Sequence, residues 1–177
     1  MLRPLMDRSR RIFGTQAVIH RGGGCTWTIQ SASSQTAPRL ATRDRAVGGG
    51  LIQGSKRWEM SGSAPWITIS EMELIAAIQP LHSFACGTRI ELRSDSQFLV
   101  HGMRFLAHRW QSQDWINRRG VPIQYREHWE ELLLLNSRLH IQWRWLKGHN
   151  HHPIQCRADT LAYRAAREHW DLQRKAA

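Results

Sequence analysis

Two stretches of residues 70–95 decide the fold: Ser70-Glu71-Met72-Glu73-Leu74-Ile75-Ala76-Ala77-Ile78-Gln79-Pro80-Leu81 and, restarting after Gly87, Arg89-Ile90-Glu91-Leu92-Arg93-Ser94-Asp95. Ser70 to Glu73 has the form of a capping box, and Leu74, Ala77, Ile78 and Leu81 then recur at the spacing of one helical stripe. Arg89 to Ser94 alternates as a half-buried strand does. A helix that hands the chain straight to a strand is the unit of an α/β domain.

Working outward gives the same pattern. Upstream, Gln16 to His20 reads as a short buried strand that Gly22, Gly23 and Gly24 end. Trp27 to Ala46 is polar, contains Pro38 and reads as a long loop, which is uncommon without a function. Gly49 to Gly54 and Arg57 to Ser63 read as a hairpin around Ser55-Lys56. Downstream, a helix is expected over Ser96 to His108, with Phe98, Leu99, Met103 and Leu106 inward. Trp110 to Pro122 reads as irregular, with a tight turn at Arg119-Gly120. Tyr125 to Leu135 reads as a helix, and His140 to Trp145 as a strand with Ile141, Trp143 and Trp145 on one face. Gly148 to Pro153 reads as a loop. A last helix follows over Ile154 to Arg174, with Leu161, Ala162, Ala165 and Ala166 inward. The expectation is an α/β fold: a mixed five-stranded sheet flanked by helices. Residues 1–15 read as a basic arm and 16–174 as a single domain, with a long loop over about 26–47.

Composition narrows the partners. The 177-residue chain is 41% hydrophobic, which suits one globular domain, and its formal net charge is +11. A pI near 11.1 points to polyanions, nucleic acid first. The basic residues are scattered along the chain rather than gathered on one amphipathic helix, which argues against a membrane surface. No apolar run approaches the roughly 20 residues of a membrane span. Met1 to Arg11 lacks the apolar core of a secretory signal. Cys25, Cys86 and Cys156 lie far apart and form neither a disulfide framework nor close zinc-binding pairs. A monomer in the reducing cytoplasm is expected.

Three acids stand out by position: Glu73 in the first turn of a helix, Asp95 at the end of a strand, and Asp159 early in the last helix. Carboxylates from separate elements are what a hard divalent cation such as Mg²⁺ takes as ligands. Each also has a local reading. Glu73 would complete the capping box with Ser70, Asp95 would cap the following helix, and Asp159 would complement a helix dipole. Spacing alone does not bring the three together. His149, with His151 and His152 beside it, reads locally as a solvated loop histidine.

Met72-Glu73-Leu74-Ile75-Ala76-Ala77-Ile78, Ser94-Asp95-Ser96-Gln97 and Trp145-Leu146-Lys147-Gly148-His149 occur in that order, followed by His152-Pro153 and Asp159-x-Leu161-Ala162. The ordered set resembles bacterial type I ribonuclease H, over roughly Ala17 to Trp170. Ser61-Gly62-Ser63-Ala64-Pro65-Trp66, Trp110, Trp115, Trp129 and Trp143 fit in order and spacing. The resemblance implies an endonuclease that cuts the RNA strand of RNA–DNA hybrids with Mg²⁺ or Mn²⁺, leaving 5′-phosphate and 3′-hydroxyl ends. Glu73, Asp95 and Asp159 match three of four family carboxylates, which hold two cations that activate water and stabilise the leaving oxygen. His149 matches a mobile histidine that assists proton transfer or product departure. Gln97 matches a reader of the hybrid's minor groove, Trp110 an aromatic against the DNA sugar, and Thr68 a DNA-phosphate contact. Ile69 and Ser70 stand where the family has two asparagines on the RNA strand.

The chain also departs from the family. There the first strand ends in an Asp, followed by Gly, a small residue and often Cys. Aligning on Cys25 puts Gly22 at that Asp. Loss of a carboxylate that bridges both cations is expected to cost several kcal/mol of transition-state stabilisation, at about tenfold in rate per 1.4 kcal/mol. Asp44, in the long segment after it, is an alternative fourth ligand. The family's basic handle is reduced to Arg118 and Arg119, with Asp114 among them. The expectation is hybrid hydrolysis impaired at Gly22. The alternative is an inactive module that binds hybrids, or nucleic-acid backbone in general, without cutting.

Overall fold

The structure, a computed structural model, describes residues 25–32, 44–53, 56–65 and 67–147, together with 156, 160–165, 167–168, 171 and 175. Five strands form one mixed sheet in the order β3-β2-β1-β4-β5: β1 Cys25–Ala32, β2 Asp44–Gln53, β3 Lys56–Pro65, β4 Arg89–Ser94 and β5 His140–Trp145. β1, β2 and β3 pair antiparallel as a meander, while β1–β4 and β4–β5 are parallel. The helices are α1 Ile69–Leu81, α2 over 97–112 and α3 Arg126–Arg138, and the chain is helical again over 160–165. The α/β expectation holds, as do β4 and β5 at their expected bounds.

The first strands differ from the expectation. Trp27 to Ala32 belongs to β1, and β2 begins at Asp44, so only the residues between them connect the two strands. Cys25-Thr26-Trp27-Thr28-Ile29-Gln30 alternates apolar and polar residues as a strand does, a signal that the reading of Trp27 to Ala46 as loop passes over. The place of β1 is set by neighbours on both sides, through Trp27↔Leu92 in β4 and Trp27↔Leu51 in β2. The β2–β3 hairpin closes on Gln53↔Lys56, so Lys56 is strand and the turn falls one residue earlier than the sequence suggested. The expected strand over Gln16 to His20 lies outside the described residues.

α1 is buried almost all round rather than along one stripe. Every residue from Met72 to Ile78 is buried, because the helix packs against β1 and β2 on one side and α3 on the other. Its cap is Thr68, whose Oγ1 accepts from Glu71 N at 3.1 Å, and Ser70 lies inside the helix. α3 starts at Tyr125 in the left-handed region (φ 58°) and buries Trp129, Leu132, Leu133 and Leu135.

α2 is α-helical over Gln97–His101, π-helical over Gly102–Leu106 and α-helical again over Ala107–Ser112. The extra residue in the π turn rotates the last turns of the helix relative to the first. Leu99, Val100, Met103 and Ala107 are buried, while Phe98 is exposed and Leu106 only half-buried, against the expected inward set. Gly102 is held by its neighbour: a Cβ there would lie 2.3 Å from Cη2 of the fully buried Trp129. Among the described residues, no helix is long and apolar enough to cross a membrane.

Packing around Trp129 and His128 has measurable consequences. Helix propensity favours Ala over Gly by about 1 kcal/mol, whereas overpacking a filled core costs about 1–3 kcal/mol. A contact of 2.3 Å with a ring that has no room to retreat belongs at the top of that range. Gly102→Ala should therefore lose about 1–2 kcal/mol net, read as a Tm lower by several degrees in a thermal melt. At His128, burial pulls the imidazole below its ordinary value, an effect that Glu71, Glu131 and Glu127 oppose. The unfolded chain then takes the proton first, so the stability from a neutral His128 is present above about pH 6.5 and declines as the pH falls. The drop in Tm from pH 7.5 to 5.5 should be smaller in His128→Gln than in the unaltered chain.

Candidate active site

The carboxyl end of β4 carries the first acid. Ser94 closes the strand, Asp95 is next, and Ser96 caps α2 by accepting Leu99 N at 3.1 Å. Ser94 Oγ accepts Ser96 N, which fixes the bend between them. The cap is thus Ser96 rather than Asp95, the residue to which the sequence allowed that role. From β5, the Trp145 indole N–H donates to Asp95 O at 3.1 Å, and Leu146 N donates to Ser94 O. Alternation along β5 suggests a core position for Trp145, yet it is 44% exposed and braces this bend.

The second acid comes from α1. Glu73 is only 9% exposed, between buried Met72 and Leu74. Burying a carboxylate is costly unless donors meet it. Ser96 Oγ donates to Glu73 Oε2 at 2.5 Å. That bond joins α1 to the residue next to Asp95, so one hydroxyl both caps α2 and ties Glu73 to the end of β4. Glu73 takes no part in a capping box with Ser70. Ser96 carried no functional reading in the sequence, and the Ser-Asp-Ser-Gln pattern is the signal that could have found it.

The remaining residues divide. Gln97 is exposed at the start of α2, beside this corner. Ser70 is half-buried in the first turn of α1. Thr68 caps α1 and its Oγ1 lies 2.7 Å from Tyr125 Oη. From there an aromatic chain runs through Tyr125, Phe98, Trp129 and Trp110, with edge-on ring contacts of 5.2–6.3 Å. Trp110 is half-buried at its far end. Tyr125, which links Thr68 to Phe98, had no signal in the sequence. Gly22, His149 and Asp159 lie outside the described residues, although Lys147 leads the chain from β5 towards His149.

Strand register locates the rest of this sheet edge. β1 runs parallel to β4 with Ile29 level with Ser94, so one further step puts Gln30 level with Asp95. Ala32, the last residue of β1, lies two residues beyond. In β2, Gly48 is level with Gln30, and Asp44 is four residues further along, two strands away from Asp95. At about 3.3 Å per residue and 4.8 Å per strand, Asp44 is on the order of 16 Å from Asp95, too far to share a cation with it. The described residues contain no cluster of three or more His, Cys, Asp or Glu side chains able to hold a metal.

Comparison with known proteins gives this geometry a context. The family model described as RNase H matches residues 33–167, beginning just after β1. The chain is 36% identical over 118 residues to a ribonuclease H of Phenylobacterium zucineum, covering 67% of this chain and 77% of that one. It is 41% identical over 118 residues to a ribonuclease H of Geotalea uraniireducens, covering 67% and 80%. Among solved structures, it superposes on LC9-RNase H1, a type 1 RNase H with the type 2 active-site motif. That match has a TM-score of 0.70 and 21% identity and covers 85% of this chain and 75% of that one. With a family match over residues 33–167 and relatives at 36% and 41% identity, the chain belongs to the ribonuclease H family, nucleases that hydrolyse the RNA strand of RNA–DNA hybrids.

Proposed function

We propose that this chain is a divalent-metal-dependent hybrid nuclease disarmed at the end of its first strand, and that the missing carboxylate belongs at Ala32 rather than Gly22. The observation that carries the reading is the Ser96–Glu73 hydrogen bond, which gathers two acids from separate elements at one sheet edge. In the family the first strand ends in an Asp. The strand that pairs with β4 ends at Ala32, followed by Ser33-Ser34, and its last residues rise beside Asp95. Two steps along a neighbouring strand place Ala32 on the order of 8 Å from Asp95, a distance across which two carboxylates share a cation.

The donor set fits a hard cation in kind, since Glu73 and Asp95 offer only oxygen, with Asp159 as the third candidate. When bound, Mg²⁺ or Mn²⁺ would activate the attacking water and stabilise the leaving 3′-oxygen, giving 5′-phosphate and 3′-hydroxyl ends. The chain's own residues do the rest. Ser96 orients Glu73, and Trp145 holds the backbone of Asp95. Gln97 faces the minor groove of the hybrid, while Thr68, Ser70 and Trp110 hold its strands. His149 moves a proton or eases product away. Ala32 offers no oxygen ligand, which favours a second reading in which the chain binds hybrids without cutting them.

Cleavage of a labelled RNA–DNA hybrid in Mg²⁺ and in Mn²⁺ tests this. The unaltered chain should leave most of the hybrid intact. Ala32→Asp should cut it at least about 100-fold faster, the scale of a lost electrostatic group, and Gly22→Asp should gain nothing. Gain by Gly22→Asp alone would return the missing ligand to that position. Equally fast cutting by all three chains would show that no carboxylate is missing. If none cuts but each binds hybrid well above double-stranded DNA at 150 mM salt, the non-cutting reading holds. Ser96 has its own test as a positioning residue. In the Ala32→Asp background, Ser96→Ala should slow cleavage about tenfold and raise the metal concentration needed for half-maximal rate. Ser96→Thr should recover most of both.

A further inference from the structure

α2 carries a surface that the cleavage site does not use. Residues 97–113 contain no Asp or Glu. The buried side of α2 is spent on Leu99, Val100, Met103 and Ala107, and His101, Arg104, Phe105 and His108 stand exposed on the other. Phe105 is 57% exposed, more than any other large hydrophobic side chain among the described residues. Its ring is framed by two basic side chains: the Arg104 guanidinium lies 4.9 Å from the ring centroid, and the His101 ring 5.0 Å. α3 shows the contrast, since its surface carries Glu127, Glu130 and Glu131. Of these two helices, only the one that begins at Gln97, next to the catalytic corner, carries positive charge without acid.

The geometry points to a second nucleic-acid contact, in which an unpaired base stacks on Phe105 while Arg104, with His101 and His108, meets the flanking phosphates. The occupant is single-stranded nucleic acid, such as the unpaired stretch of a strand entering or leaving the hybrid. An exposed ring beside an Arg is the pattern of a single-strand platform, because an unpaired base offers its face and a duplex does not. A membrane surface fits poorly, since one ring among basic residues lacks the broad apolar face of an interfacial helix. This inference rests on the hybrid-nuclease reading for its class of ligand. Its test involves no cleavage, so the two can fail separately.

The experiment measures binding of the full-length chain to a fluorescent dT 12-mer, and to a blunt 12-base-pair RNA–DNA hybrid, by anisotropy at 50 and 200 mM salt. Phe105→Ala should weaken the single-strand affinity about tenfold, leaving its salt dependence and the hybrid affinity within twofold. Arg104→Gln should weaken the single-strand affinity and flatten its log–log salt slope by about 0.7, one phosphate contact. Both side chains are exposed, and unchanged melting curves will show that the fold is kept. Unaltered single-strand binding in Phe105→Ala overturns the proposal. So does equal loss on hybrid and single strand, which would make the face a general duplex contact. If the unaltered chain ignores the 12-mer and binds vesicles of anionic phospholipid through Arg104, the partner is a membrane and the proposal fails.

Discussion

A carboxylate buried inside an apolar helix imposes the constraint on which this structure turns. Between Met72 and Ile78, α1 has no exposed residue, because the sheet and α3 enclose it. Glu73 sits in that run, where an unmet charge would be costly. Its hydrogen bond from Ser96 fixes the start of α2 over α1 and brings the end of β4 to the same place. One hydroxyl therefore serves the stability of the helix cap and the geometry of the candidate site. This coupling fixes Glu73 relative to the end of β4 and the start of α2.

The sheet supplies the second half of the geometry. Parallel pairing of β1, β4 and β5 brings their carboxyl ends to one edge, the usual site of chemistry in such sheets. Asp95 and Trp145 meet there. β1 comes to the same edge with Ala32, which carries no oxygen ligand. Asp44 begins β2, but the antiparallel register carries it past the edge, so proximity in sequence to the end of β1 does not become proximity to Asp95. The family match begins at residue 33, just after β1.

A different economy governs α2. The π turn at Gly102–Leu106 lets the helix pass over Trp129, which Gly102 alone permits. The same ring meets Phe98 and Trp110, and Phe98 meets Tyr125, which bonds Thr68. Residues far apart in sequence, Thr68 and Trp110, are thereby held by one aromatic chain. The inner side of α2 builds the core while its outer side stays basic.

Much of this was legible in the sequence, for particular reasons. β4 and β5 alternate, α1 has its apolar stripe, and the ordered motifs around Glu73, Asp95 and Trp145 pointed to the family, because local periodicity and residue spacing are properties of the chain alone. β1 was legible only in part: Cys25 to Gln30 alternates apolar and polar residues, but the polar, Pro-containing segment after it led to a loop reading from Trp27 onward, and β2 and β4 pair with it on both sides. Anchoring the family pattern on Cys25, which lies inside this strand, is what put the family Asp at Gly22. Caps were misplaced by one or two residues, at Thr68 for Ser70 and Ser96 for Asp95, since neighbouring Ser, Thr and Asp compete for the same amide and the tertiary contacts choose between them. Trp145 looks like core in the sequence because an aromatic in an alternating strand says nothing about which face is covered. The sequence by itself determined the fold class and the acids worth watching. Only the tertiary structure decided that Ser96 ties Glu73 to the end of β4, that Ala32 closes the strand beside it and that Asp44 lies out of reach, because register and burial arise from pairing between segments.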